Sequence, residues 1–199
     1  MTRLFIAGLL AALSAGGAAA APATETIVLV RHGEKPESGL GQLNCRGLNR
    51  ALALPAVLRR DFGRPNAIFA PNPSVVKADH GTSYDYVRPL VTIEPTAIAA
   101  GLPVDTSIGF NDVTALQTAL DAPALARAVV LVAWEHTEIV ALARALASAH
   151  GGNPALIPGW DHKDFDSIYV LRITREGLRA TTVFERLAEG LNEQPEHCP

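Results

Sequence analysis

The sequence lacks the residue sets that usually hold metals. No His-Glu-x-x-His stretch and no Cys-x-x-Cys pair occurs anywhere in the 199 residues. Asp161-His162-Lys163-Asp164-Phe165-Asp166 invites a metal reading, but its alternation is wrong for a calcium loop, with Lys163 and Phe165 at ligand positions. No metal or other cofactor is therefore expected. Excess positive charge is also missing: 17 basic against 20 acidic residues leave a net charge of −3, which excludes the basic footprint of a nucleic-acid binder. An anionic ligand must then be attracted by individually placed arginines. After the N-terminal segment there is no repeat, no low-complexity tract and no linker. With 48% hydrophobic and 19% charged residues, the composition fits one globular domain with an ordinary core.

Cysteine is scarce too, limited to Cys45 and Cys198. Met1-Thr2-Arg3 followed by the apolar run Leu4 to Leu13 and the small residues Ala18 to Ala23 has the three-part pattern of a secretory signal. The apolar run is shorter than the ~20 residues of a spanning helix, and no cysteine at the cleavage region offers lipid attachment. The expected organisation is a signal peptide over 1–23, cut near Ala20 or Ala23, and a domain over 24–199. The domain would work in a periplasm or outside the cell, without stable membrane insertion. Export permits a Cys45–Cys198 disulfide, but two free thiols are equally compatible with the sequence.

The run Thr26-Ile27-Val28-Leu29-Val30 suits a strand buried on both faces, and Ala128 to Trp134 is its counterpart. A helix is expected from about Arg46 to Arg60, kinked or divided by Pro55. Ala67 to Ala70 reads as a short strand, and Pro71 to Tyr86 as a long surface loop. Arg88 to Ala100 should be helical but broken near Pro95, and Leu102-Pro103-Val104 is a candidate edge strand. Asp112 stands where a helix to Leu120 would be capped. A further helix should end at His150-Gly151-Gly152, and two strands should flank the Glu176-Gly177 turn. Strands alternating with helices predict a three-layer α/β/α sandwich with a mostly parallel central sheet.

Both strongly apolar strands end in a histidine among charged residues, at Arg31-His32-Gly33-Glu34 and Glu135-His136-Thr137-Glu138. In open α/β sheets, ligands bind beyond the carboxyl ends of strands. Arg31-His32-Gly33 after a buried first strand resembles the signature of the histidine phosphatase superfamily, also called phosphoglycerate mutase-like. Arg46-Gly47-Leu48-Asn49-Arg50-Ala51 is similar to that family's first-helix pattern, and Ile68 to Pro73 to its second strand and turn. Glu135-His136 falls where the second active-site histidine is expected. The resemblance runs from about Thr26 to Phe184.

It implies a metal-independent phosphomonoesterase that forms a phosphohistidine on His32. Arg31 would bind phosphate oxygens and His136 would donate to them. The family's second arginine is displaced here: Arg88 in Arg88-Pro89-Leu90-Val91-Thr92 is the best match, with Lys77 in reserve. The general acid is open among Asp112, Glu135 and Asp105, in that order, since the position after His136 is Thr137. Trp160 and Phe165 either line a pocket or pack, with packing the favoured reading, and His80, His150, His162 and His197 read as surface or loop residues. The expected substrate is a small phosphomonoester or a phosphoprotein. The reading from another class is a non-catalytic phosphate-binding module that keeps the same pocket. Nothing in the sequence fixes the oligomeric state.

Overall fold

The computed structural model describes residues 21–199; most of the expected signal segment, residues 1–20, lies outside them. In chain order the elements are β1 (Ala23–Arg31), α1 (Cys45–Phe62), β2 (Ala67–Phe69), β3 (Lys77–Asp79), β4 (Thr82–Tyr84), α2 (Arg88–Ala100), α3 (Val113–Leu120), β5 (Val129–Trp134), α4 (His136–Ala149), β6 (Ser167–Glu176) and β7 (Arg179–Ala188).

The main sheet has the order β2-β5-β1-β6-β7. β2, β5 and β1 run parallel, as strands joined through helices do, while β6 and β7 add an antiparallel hairpin. The sheet is thus mixed, with its parallel half carrying the charged strand ends. Successive β1 side chains point to opposite faces. Ile27 and Leu29 join a core with Leu116, Leu120, Leu142 and Leu146 of α3 and α4. Val28 and Val30 join a second core with Leu54, Leu58 and Ile93 of α1 and α2. These β1 residues are at most 1% exposed, which explains a run with no polar alternation: helices cover both faces. The architecture is the expected α/β/α sandwich. Truncating a fully buried residue such as Leu54 to alanine costs about 2–5 kcal/mol.

Several local expectations are corrected. Pro55 does not divide α1, and Pro95 does not break α2; both sit inside continuous helices. Each proline removes one backbone donor, but Leu54, Val57 and Leu58 beside Pro55, and Ile93 and Ala97 beside Pro95, are buried. Packing outweighs the local penalty. The segment from Pro71 to Tyr86 is not all loop: it contains the β3–β4 hairpin. Leu102 to Val104 forms no strand, and only Asp105 makes a bridge there, to Phe69. Asp112 does cap α3, its carboxylate accepting from Ala115 N–H at 2.9 Å.

Cys45 and Cys198 form a disulfide. The tail beyond β7 therefore lies along the start of α1, where Asn49 Nδ2 donates to the carbonyls of Pro195 and His197.

Candidate active site

β1 and β5 end side by side, with Arg31 opposite Trp134, and the His32 N–H donates to the Trp134 carbonyl at 3.2 Å. This parallel pairing brings the two charged clusters to one edge of the sheet. The chain beyond His32 is fastened to α2 by Thr92. Its hydroxyl accepts from Gly33 N–H at 2.9 Å and donates to the Arg88 carbonyl at 2.8 Å. A side chain at residue 33 would meet the Gly47 carbonyl at 2.9 Å, so glycine there lets α1 approach the loop.

His32 is 3% exposed. Its Nδ1 lies 2.8 Å from the Gly33 carbonyl, which can only accept, so Nδ1 carries the proton and Nε2 keeps its lone pair. Burial pushes the imidazole down to about 3; the Gly33 bond and Glu135 oppose this, while Arg31 and Arg88 reinforce it. His32 is neutral across ordinary pH, with a fixed tautomer.

Arg31 and Arg88 are 4% and 2% exposed. Arg31 Nη1 donates to the carbonyls of His162 and Asp164 at 2.7 and 2.9 Å, and its guanidinium lies 4.0 Å from the Phe165 ring centroid. Arg88 Nη1 donates to Asp79 at 2.6 Å, with the guanidinium 4.9 Å from the Tyr86 ring. Tyr86 stands edge-on to His32, with ring centroids 6.1 Å apart. The Nε atoms of both arginines, the Tyr86 hydroxyl and His136 Nδ1 are buried without a hydrogen-bond partner. Buried polar atoms normally find one. Arg31, Arg88 and Tyr86, gathered about the neutral His32 imidazole, make a cradle suited to an anion.

Glu135 is the N-cap of α4, its carboxylate accepting from Thr137 and Glu138 N–H at 2.7 and 3.1 Å. His136 Nδ1 lies 2.8 Å from Glu135 Oε1, off the hydrogen-bond axis. Burial disfavours ionisation of Glu135, but His136, Lys77 and the Glu138 N–H outweigh it and hold the carboxyl down to about 2. Glu135 therefore orients His136 and stays ionised, which does not suit a proton donor. Lys77 lies 4.5 Å from the Phe110 ring centroid and 5.5 Å from that of Tyr86, on the rim of the same cluster.

The expected acids fare unevenly. Asp112 is exposed and occupied in capping α3, and Asp105 is exposed with its carboxylate on Ser107 N–H. Neither carboxylate is held within the cluster. Glu138 was not anticipated. It lies in the first turn of α4, makes no ion pair or side-chain hydrogen bond among the described residues, and is pushed up by burial and by Glu135. Phe165, read as packing or as lining a pocket, faces both Arg31 and His32, the latter with ring centroids 6.2 Å apart, and borders a pocket. Trp160 does pack, its ring 4.3 Å from that of Tyr169. Asp79 and Tyr86 carry no local signature, because their partners are supplied by other segments. Beside Phe165 opens a polar pocket of about 460 Å³, lined by Glu34, Lys35, Arg46 and the tail residue Glu196. Among the described residues no group of three His, Cys, Asp or Glu side chains comes together as a metal site.

No protein-family model and no curated protein sequence matches the chain. Solved structures do. Mycobacterial hydrolase 2 matches with a TM-score of 0.55 at 16% identity, over 82% of this chain and 90% of that one. A candidate phosphohistidine phosphatase SixA from Nakamurella multipartita matches with a TM-score of 0.51 at 18% identity, over 81% and 95%. Mycobacterial glucosyl-3-phosphoglycerate phosphatase Rv2419c, in complex with inorganic phosphate, also gives a TM-score of 0.51, at 17% identity over 81% and 95%. The fold is that of the histidine phosphatases, the phosphoglycerate mutase-like fold.

Proposed function

We propose that the protein is a phosphomonoesterase acting through a phosphohistidine on His32. The observation that carries this reading is the neutral, Nδ1-protonated His32 beside two buried arginines whose Nε atoms are unpartnered. Arg31 and Arg88 neutralise the phosphate oxygens that would otherwise repel the nucleophile. Nε2 attacks phosphorus as the bond to the leaving oxygen breaks, and that oxygen takes its proton from the Glu138 carboxyl. The Gly33 carbonyl, at Nδ1–H, stabilises the positive charge that develops on the ring. Water then attacks the phosphohistidine, gives a proton to Glu138 and releases inorganic phosphate. Splitting one difficult displacement into two is the gain from covalent catalysis. The chemistry asks nothing of a metal. The polar pocket beside Phe165 is on the side available to the leaving group.

Export is part of the same proposal. The Cys45–Cys198 disulfide favours an oxidising compartment. Arg127 donates to the carbonyls of Ala21 and Pro22, and Ala23 opens β1, so cleavage after Ala20 would keep these contacts. The substrate is then a phosphomonoester or phosphoprotein met outside the cytoplasm.

The test is phosphate release from p-nitrophenyl phosphate in EDTA, by the wild-type chain and by His32→Ala. Turnover that vanishes in the variant supports the reading. No release at any pH, with phosphate still raising the melting temperature, would replace it with a binding module.

A further inference from the structure

Arg88 is the first residue of α2, and that helix start has no side-chain cap. A long side chain at such a position is not fixed by its own backbone, and an arginine loses much rotamer freedom when it is held in one place. What fixes it comes from the β3–β4 hairpin. Asp79, 6% exposed, sends one carboxylate oxygen to Arg88 Nη1 at 2.6 Å and the other to Lys35 Nζ at 2.5 Å. The hairpin turns through His80 and Gly81, both with positive φ (50° and 84°), between the paired residues Asp79 and Thr82. Such a two-residue turn holds the last residue of its strand firmly. Space for the carboxylate is reserved by Gly39, where an added Cβ would come within 2.5 Å of Asp79 Cγ.

Resting on the reading of this site as a phosphate cradle, the geometry points to Asp79 as the residue that positions Arg88 for phosphate and Lys35 for the leaving-group side. One carboxylate shared between two cations leaves a net charge of +1 in the trio, so Arg88 is held without being silenced. Its Nη1 is engaged, and Nε is left for the ligand. Lys35 lines the polar pocket beside Phe165, so the same carboxylate links the phosphate side to the pocket side. The hairpin is therefore part of the site, although none of its backbone belongs to the main sheet.

The experiment is a double-mutant cycle of Asp79→Asn and Arg88→Met. It has two readouts: kcat and KM for p-nitrophenyl phosphate, and the affinity for inorganic phosphate from the shift in melting temperature. Asp79→Asn is expected to weaken phosphate binding by about tenfold, but by less than about twofold once Arg88 is already methionine, while the part of its kcat/KM loss that runs through Lys35 persists in both backgrounds. Phosphate affinity within about twofold of wild type, or an undiminished loss of affinity in the Arg88→Met background, overturns the assignment. Should Asp79→Asn fail to fold, Asp79→Glu keeps the charge but lengthens the side chain and moves the carboxylate relative to Arg88 Nη1 and Lys35 Nζ, and is expected to weaken phosphate binding in the same direction; unchanged affinity there also overturns it. A wild-type chain that binds phosphate without releasing any defeats the phosphatase reading, and this proposal is then judged on affinity alone. A chain that does neither defeats both.

Discussion

Two buried arginine centres lie near one another in this fold, and they are built on opposite principles. Arg50, 0% exposed, has all three of its nitrogens occupied: Nε and Nη2 by both oxygens of Glu34, and Nη1 by Glu189 and Asp166. It joins the loop after β1, the loop before β6 and the C-terminal tail. Arg31 and Arg88 are almost as buried, yet each keeps Nε without a partner. Charge that is matched on every side serves cohesion, because losing one partner strands the others in low dielectric. Charge left partly unmatched is held for a ligand that completes it.

The largest expected effect breaks the reactive centre. His32→Ala should lower kcat/KM at least about 10⁴-fold, with little change in melting temperature, measured in parallel by phosphate release and calorimetry. Next, Arg31→Met should lower kcat/KM by about 10²–10³-fold while leaving the fold intact. Arg50→Met should do the reverse and cost about 3–5 kcal/mol of stability in a denaturant titration, since it removes the shared partner of Glu34, Asp166 and Glu189. If both variants lost stability equally, the contrast between the two centres would fail.

The proton donor sharpens the comparison through pH. His32, pushed down to about 3, stays neutral above that value, so kcat/KM should hold down to pH ~4. Glu138 must be protonated to act, and its carboxyl is raised, so the rate should fall as pH rises through its titration. Glu138→Gln should lower kcat by about 10²-fold and flatten the alkaline limb. An unchanged pH profile in that variant would remove Glu138 from the mechanism.

The smallest effect belongs to the cohesive centre. Burial raises Glu189 to about 8 in spite of Arg50, and its Oε1 has no hydrogen-bond partner. The folded chain thus binds a proton there that the unfolded chain releases above about pH 4.5. That contribution to stability is complete below pH 4.5 and is lost as pH rises towards 8. Melting temperatures measured over this range should decline in the wild type and decline less in Glu189→Gln.

The main layers were legible because they depend on local pattern. Ile27 to Val30 and Val129 to Trp134 are apolar without alternation, which only a strand covered on both faces tolerates. His32 and His136 stood out because each follows such a strand. The prolines misled for the same local reason: Pro55 and Pro95 weaken a helix in isolation, and tertiary packing of the neighbouring residues decided otherwise. The cradle beyond Arg31, Arg88 and the two histidines was not legible. Phe165 read mainly as packing, Glu138 had no role assigned beside His136, and Asp79 fell in an expected loop.

By itself, the sequence determined the main buried strands and the helices that cover them, and which histidine ends the first strand, since these follow from the spacing of apolar residues along the chain. Only the tertiary structure decided the protonation state of His32, the pairing of Cys45 with Cys198 and the meeting of Asp79 with Lys35 and Arg88. Each depends on burial or on contact between segments far apart in sequence, and neither is encoded in local periodicity.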